Sequence, residues 1–469
     1  MTGPARHAAG ARPRVLFFAR GYQASLYPQL TDPRYEAVFA TLTRAEAAQL
    51  RAGGTTVAAC FEEDFDRLEP AAVPEDYLAT SFVADRFLGR YPHRDRLVIL
   101  GKEIAFWREL FDRYAPVAAV NELVAIEIAE VLCLEARARG VAYLAPMVSP
   151  IDGHFYFLPD PLSLSGRHLD LPEPDARARE MADRYFEQVQ APDYRPDYVR
   201  RLRGRHHPRA IAAAIGKAAL WRWRDWRSRD ITRSGAFRYE SYSEEFSKRL
   251  QVFAAGLFAR YDTLADLDPA AEAVMYPLHV EPEATLNYNS EFVSNQVATI
   301  ENVLKCLTTR QALVVKEHPA DKGALLRPKF RRLRGQYSNL VFLPAEISGR
   351  EVLARCERIV TLTSTVGWEG ALLGKRVCVM GDIFWDSVPG IVRVETWPQL
   401  RALMHRPLSH LPQVGIADAR RLIGGMAAIS HRGRPLPHPD RDTRGNLQDL
   451  CDAIAKEAGI DARQPVPAH

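Results

Sequence analysis

Three segments in the C-terminal half hold side chains suited to chemistry on a charged ligand. Residues 316–319 read Lys-Glu-His-Pro directly after the apolar run ALVV. A strand of that kind delivers His318 to its carboxyl end, and Pro319 stops the strand and fixes the turn. His318 there can donate a hydrogen bond to a phosphate or carboxylate, and Lys316 can add positive charge. A strand-end histidine satisfied by backbone is the plainer alternative.

Residues 361–375 (TLTSTVGWEGALLGK) run from a strand into a helix. Ser364 or Thr365 is placed as N-cap, and Gly374 ends the helix. Free N–H groups and the helix dipole make such a start an anion site. Gly367 is expected to let a ligand approach the backbone. Glu369 is expected in the first helical turn, where it can accept from ribose hydroxyls. An ordinary capped helix fits the same residues. In residues 277–285 (PLHVEPEAT), His279 can face a donor or an acceptor, and Glu281 and Glu283 can bind sugar hydroxyls or exchange protons. A polar loop with proline turns fits them equally.

The elements that must position these groups alternate between strand and helix. Strands are expected at 14–20, 35–42, 55–61, 116–120 and 141–145. Thr43 with Glu46 makes a capping-box start for a helix to about residue 50. A second helix is expected at 123–139. From 159 to 272 strand signals cease, and helical periodicity with scattered prolines suggests a bridge. Alternation resumes with strands at 273–280, 312–316, 339–343, 358–362, 376–380 and 391–395, and a helix at 290–307. This predicts an α/β chain of two Rossmann-like domains, 1–158 and 273–410, facing a central cleft. A helical insertion (159–272) lies between them and C-terminal helices (411–469) follow. Ligands bind such sheets beyond the carboxyl ends of the strands.

The bulk numbers agree with that organisation. A chain of 469 residues is too long for one ordinary core, and 47% hydrophobic with 26% charged residues is a soluble globular composition. Residues 1–13 lack an apolar run of signal-peptide length, and no stretch nears the ~20 apolar residues that span a bilayer. A cytoplasmic location is the expectation. Six scattered cysteines form no CxxC pair, which points to free thiols and no structural metal.

Taken together, the segments resemble the bacterial capsule polysaccharide biosynthesis family that includes the retaining β-Kdo transferases. Pro277-Leu278 with Pro282-Glu283, then KEHP at 316–319, then STVGWEGALLGKRV at 364–377 and Phe384-Trp385, keep that family's order and spacing. The resemblance covers about residues 273–390. Gly370 stands where the family usually has Ala, and His279 where it tends to Gln. The resemblance implies a GT-B fold, no metal or other cofactor, and a donor held by the C-terminal domain, CMP-Kdo in the best understood members. It implies that His318 contacts the donor phosphate, that Ser364 and Thr365 cap it, and that Glu369 holds the nucleotide sugar. Glycan or glycolipid would be the acceptor.

A retaining transfer by double displacement needs a carboxylate nucleophile, normally from the N-terminal domain. Glu122, at the end of the strand PVAAV, is the first candidate and Asp152 the second. Without a metal, the leaving phosphate must be met by His318, helix starts and nearby cations.

Residues 195–234 hold twelve Arg or Lys against three Asp, a local net charge of +9 in a chain of net +4, with Trp221, Trp223 and Trp226 interleaved. That mixture suits peripheral attachment to an anionic inner-membrane surface. A solvated helical bridge is the alternative, and no motif supports nucleic acid. Competing function classes are a CDP-glycerol-type polymer phosphotransferase, a non-catalytic export or assembly protein, and a nucleotide-sugar epimerase.

Overall fold

The computed structural model describes residues 12–75, 77, 91–191 and 259–460 except 282, with isolated positions between 212 and 258. The chain divides into two compact units. Among the described residues, one holds 12–162 and 429–460, and the other holds 163–191 and 259–428.

The first unit is built on five parallel strands, β1 (Arg14–Phe18), β2 (Glu36–Thr41), β3 (Val57–Cys60), β4 (Ala118–Val120) and β5 (Ala142–Leu144), in the order β3-β2-β1-β4-β5. Successive side chains of β1 point to opposite faces, and both faces are covered, which is why the strand reads as an unbroken apolar run. Phe17 packs in a cluster with Val120, Leu144 and, from helix Arg444–Glu457, Leu450 and Ile454. Phe18 meets the edge of Trp107 from helix His93–Tyr114. The expected strands all form, each shorter at its ends. Helix Arg44–Ala52 begins with the Thr43–Glu46 capping box expected of it. Beyond β5 a hairpin of β6 (Pro146–Val148) and β7 (His154–Phe157) is extended by His431–Arg432 from the tail, which sequence reading placed among helices only.

The second unit has six parallel strands, β8 (Glu272–Pro277), β9 (Gln311–Lys316), β10 (Leu340–Leu343), β11 (Cys356–Thr361), β12 (Arg376–Val379) and β13 (Ile391–Arg393), in the order β10-β9-β8-β11-β12-β13. Val274, Tyr276, Leu313, Val315 and Phe342 join one core with Ile300 and Val303 of helix Gln296–Cys306 and Leu400 of helix Trp397–Met404. Both units are thus Rossmann-like. In each, the strand order reverses beside its first strand, at β1/β4 and at β8/β11. Chain leaving adjacent strands there departs in opposite directions and opens a crevice.

Candidate functional site

At the β8/β11 reversal the structure brings two of the three segments together through one side chain. β8 stays beside β9 through its end, with Leu278 N–H donating to Lys316 O at 2.8 Å. His279 follows, and Gln296 grips its backbone from both sides. The amide oxygen of Gln296 accepts from His279 N–H at 2.7 Å, and its amide nitrogen donates to His279 O at 3.1 Å. Held so, the imidazole Nε2 accepts the backbone N–H of Thr363 at 3.1 Å. An accepting Nε2 on a neutral ring puts the proton on Nδ1. His279 is 6% exposed. Burial, with the neighbouring His318 adding to it and Gln296 opposing, pushes its pKa down to about 3. Sequence reading left open which substrate His279 would face. The structure ties it to the loop between β11 and the helix that follows.

The third segment, after β9, lies beside His279. His318 Nδ1 accepts from Ala320 N–H at 3.1 Å, so the proton of its neutral ring is on Nε2. Burial and then Lys316 push His318 down to about 4. Lys316 does not offer its charge outward. Its Nζ is buried and donates to the carbonyls of Glu317 at 2.8 Å and Ala345 at 3.4 Å, and burial lowers it to about 8. Glu317, also buried, accepts from the Tyr261 hydroxyl at 2.6 Å and Ala324 N–H at 2.5 Å, which pins the turn carrying His318. Arg327 Nη2 donates to both carboxylate oxygens of Asp321 at 2.6 and 2.7 Å, and its Nη1 reaches Glu281 at 3.3 Å. Glu281 also takes Lys329 at 2.6 Å, so it is a tether between loops. Glu283 is half-buried in the same loop.

Ser364 caps helix Thr365–Leu372, its hydroxyl accepting from Val366 N–H at 3.3 Å, and its own N–H is held by Thr361 Oγ1 at 3.1 Å. Thr365 is exposed at the helix start. Two expectations here change. Gly367 faces inward. A Cβ on it would lie 2.8 Å from the Trp385 ring and 2.9 Å from Thr361 Cγ2, so its smallness serves packing against Trp385. Glu369 is the fifth helical residue, beyond the first turn. It is half-buried and makes no side-chain hydrogen bond among the described residues. Burial, partly opposed by Arg350, pushes its carboxyl up to about 7. Trp368 Nε1 donates to the Tyr185 hydroxyl at 3.0 Å, fastening this helix to helix Ala176–Gln190.

In the first unit the β1/β4 reversal holds Glu122. Its carboxylate pairs with Arg20, which is 5% exposed at the end of β1, and accepts from the Tyr22 hydroxyl at 2.9 Å. Tyr143 donates to Glu122 O at 3.1 Å and accepts from Asn121 at 3.1 Å. Asp152 lies elsewhere, in the β6–β7 turn, forked onto Arg434 at 2.9 and 3.0 Å, which holds its carboxyl below the usual range. Glu122 is therefore the carboxylate at a strand-end crevice, and Asp152 a turn-fixing ion pair.

Most of residues 195–234, the basic tryptophan-rich stretch, lies outside the described residues. Among the described residues no group of three or more His, Cys, Asp or Glu is placed to hold a metal, all six cysteines are unbridged, and no helix is long and apolar enough to cross a membrane. Sequence reading passed over Gln296, Asn289, Ser290 and Glu317. The side-chain partners of Gln296, Asn289 and Glu317 lie several to many residues away along the chain, and no local spacing announces them.

Residues 238–399, which hold all three segments, match the family described as capsule polysaccharide biosynthesis protein. The protein FixF of Sinorhizobium fredii (strain NBRC 101917 / NGR234) is 25% identical over 142 residues, 29% of this chain and 33% of that protein. The chain thus matches about a third of the length of this curated relative. Among solved structures, the Thermosulfurimonas dismutans KpsC β-Kdo 2,7 transferase aligns at 12% identity and TM-score 0.33, over 75% of this chain and 88% of that one. A S. aureus MnaA–UDP co-structure aligns at 10% identity and TM-score 0.31, over 97% and 100%. UDP-GlcNAc 2-epimerase from Neisseria meningitidis bound to UDP-GlcNAc aligns at 8% identity and TM-score 0.30, over 94% and 100%.

Proposed function

We propose that this chain, whose residues 238–399 match the capsule polysaccharide biosynthesis protein family, is a glycosyltransferase of capsule assembly. It takes a nucleotide-activated sugar, CMP-linked and acidic as in CMP-Kdo, and moves the sugar to a surface polysaccharide or its lipid primer. The observation carrying this reading is the His279–Thr363 hydrogen bond. It joins two of the family's segments at the β8/β11 crevice, with the His318 turn alongside.

In this reading His318, as a neutral Nε2–H donor, meets a phosphate oxygen of the donor. Ser364 and Thr365 present the helix start to the same charge. Glu369 and Glu283 take hydroxyls of the nucleotide sugar. Lys316 acts indirectly, by bracing the strand end. Glu122, oriented by Arg20 and Tyr22, is the carboxylate nucleophile that the first unit offers. The donor is the only small molecule required, with no metal or other cofactor. The chain works in the cytoplasm, on the inner membrane where residues 195–234 meet anionic lipid.

The experiment is release of CMP from CMP-Kdo by the purified chain, with a lipid-linked glycan acceptor and with EDTA. Acceptor-dependent CMP release that EDTA leaves unchanged supports the reading. Transfer of glycerol phosphate from CDP-glycerol in its place would assign the chain to the phosphotransferases.

A further inference from the structure

The loop leaving β8 carries a feature that the assignments above do not use. Phe292 is 93% exposed, the most exposed large apolar side chain among the described residues. It is not on a loose tip. Ser290 O accepts from Val293 N–H at 2.9 Å, Glu291 O from the Ser294 hydroxyl at 3.0 Å, and Val293 O from the Thr299 hydroxyl at 2.8 Å. Val293 packs on the core while its neighbour Phe292 is held out in solvent. A single turn of 3-10 helix, Glu291–Val293, thus presents one aromatic ring rigidly.

The base of that turn is wired to the carboxyl edge of the sheet. Asn289 O accepts from Asp382 N–H at 2.7 Å, just past β12, and Asn289 Oδ1 accepts from Leu164 N–H at 2.7 Å. A Cβ on Gly381 would lie 2.3 Å from Ser290 Oγ and 2.8 Å from Thr363 Cγ2, so Ser290 and Thr363 crowd the same spot. Thr363 is the residue bound to His279. Three side-chain groups in this knot, His279 Nδ1, Asn289 Nδ2 and Ser290 Oγ, are buried without a hydrogen-bond partner. Each can donate, and buried donors of this kind take a ligand atom or an ordered water.

We propose that Phe292 is the stacking platform for the planar base of the bound nucleotide, a specificity element of the donor site beyond the charged and hydroxyl contacts. The inference rests on the nucleotide-sugar reading above. An exposed ring fixed beside unpaired donors has the two things a base needs, a face to lie against and groups for its acceptor edge. Aromatic–base stacking is sequence-tolerant and lost on truncation to alanine.

The experiment is calorimetric titration of CMP and of ribose 5-phosphate into wild type, Phe292→Ala and Phe292→Tyr, with melting temperatures recorded. The ring contacts no other described ring, so all three proteins should melt alike. CMP should bind Phe292→Ala about 5- to 100-fold more weakly and Phe292→Tyr nearly as wild type. Ribose 5-phosphate, lacking the base, should not distinguish the three. Equal CMP affinity in wild type and Phe292→Ala overturns the platform and leaves the nucleotide reading standing. An equal loss for ribose 5-phosphate overturns base stacking specifically. A wild type that binds CMP, CDP and UDP not at all overturns both.

Discussion

Replacing His279 by glutamine tests the hinge of the site. Glutamine can place its amide oxygen near the position of the imidazole Nε2, and so can still accept Thr363 N–H. Its side chain does not titrate. In the fold His279 titrates at about 3, against about 6.5 in an unfolded chain. Between those values the unfolded state binds the extra proton, so stability falls as pH drops from about 6.5 and the loss is complete below about 3. At pH 4.5 the histidine is two units below its unfolded value and still neutral in the fold. Wild type should therefore lose about 3 kcal/mol relative to His279→Gln between pH 7.5 and pH 4.5. Both proteins should be similar at pH 7.5. His279→Ala, which orphans the buried Thr363 N–H, should already be weaker there by about 1–3 kcal/mol. Urea unfolding of the three proteins at the two pH values measures this. A wild-type–Gln difference that does not change with pH, or an alanine variant as stable as wild type at pH 7.5, would rule out a buried neutral His279 accepting Thr363 N–H.

Three further outcomes follow from the same geometry. A Cβ on Gly370 would lie 2.0 Å from Ile359 Cδ1 and 3.2 Å from Leu353 Cδ2. Gly370→Ala should thus cost about 1–3 kcal/mol by overpacking, and adding Ile359→Val should recover part of it in thermal melts. Glu369 titrates at about 7 in the fold against about 4.3 unfolded. Its burial favours the protonated form, so it contributes less stability as pH rises from about 4.3 to about 7. Glu369→Gln should gain about 1–2 kcal/mol on wild type above pH 7, after discounting for its partial exposure, and nothing at pH 4. Glu122→Ala leaves the buried Arg20 charge without its carboxylate and should cost about 3 kcal/mol by urea unfolding. Tyr22→Phe removes one hydrogen bond and should cost about 1 kcal/mol.

The sheets were legible because buried parallel strands are short apolar runs punctuated by turn residues, as at β1 and β9. Thr43 and Glu46 announced their helix because a capping box is local chemistry. Helix His93–Tyr114 was equally written in the sequence, since its buried residues fall at 99, 100, 101, 103, 104, 106, 107, 110 and 111, a helical spacing that the strand-led reading skipped. The hairpin strand His431–Arg432 could not be read, because two residues carry no periodicity. At the site, KEHP and STVG stood at strand ends and were found. Which way their side chains turn was set by distant partners. Lys316 is drawn to the Ala345 carbonyl, Gly367 makes room for Trp385, and Glu369 falls one turn further along than its spacing from the strand suggested. Gln296, which holds His279 across 17 residues of chain, had no local mark at all.

A nucleotide should sit where β8, β9 and β11 end, against the His318 turn. Thermal shift of the purified chain with CMP, CDP and UDP, repeated on His318→Ala, tests it most directly. CMP should raise the melting temperature, and His318→Ala should abolish the rise. A shift with UDP or CDP alone contradicts the CMP-sugar donor. No shift with any of the three, or a CMP shift undiminished in His318→Ala, contradicts the site.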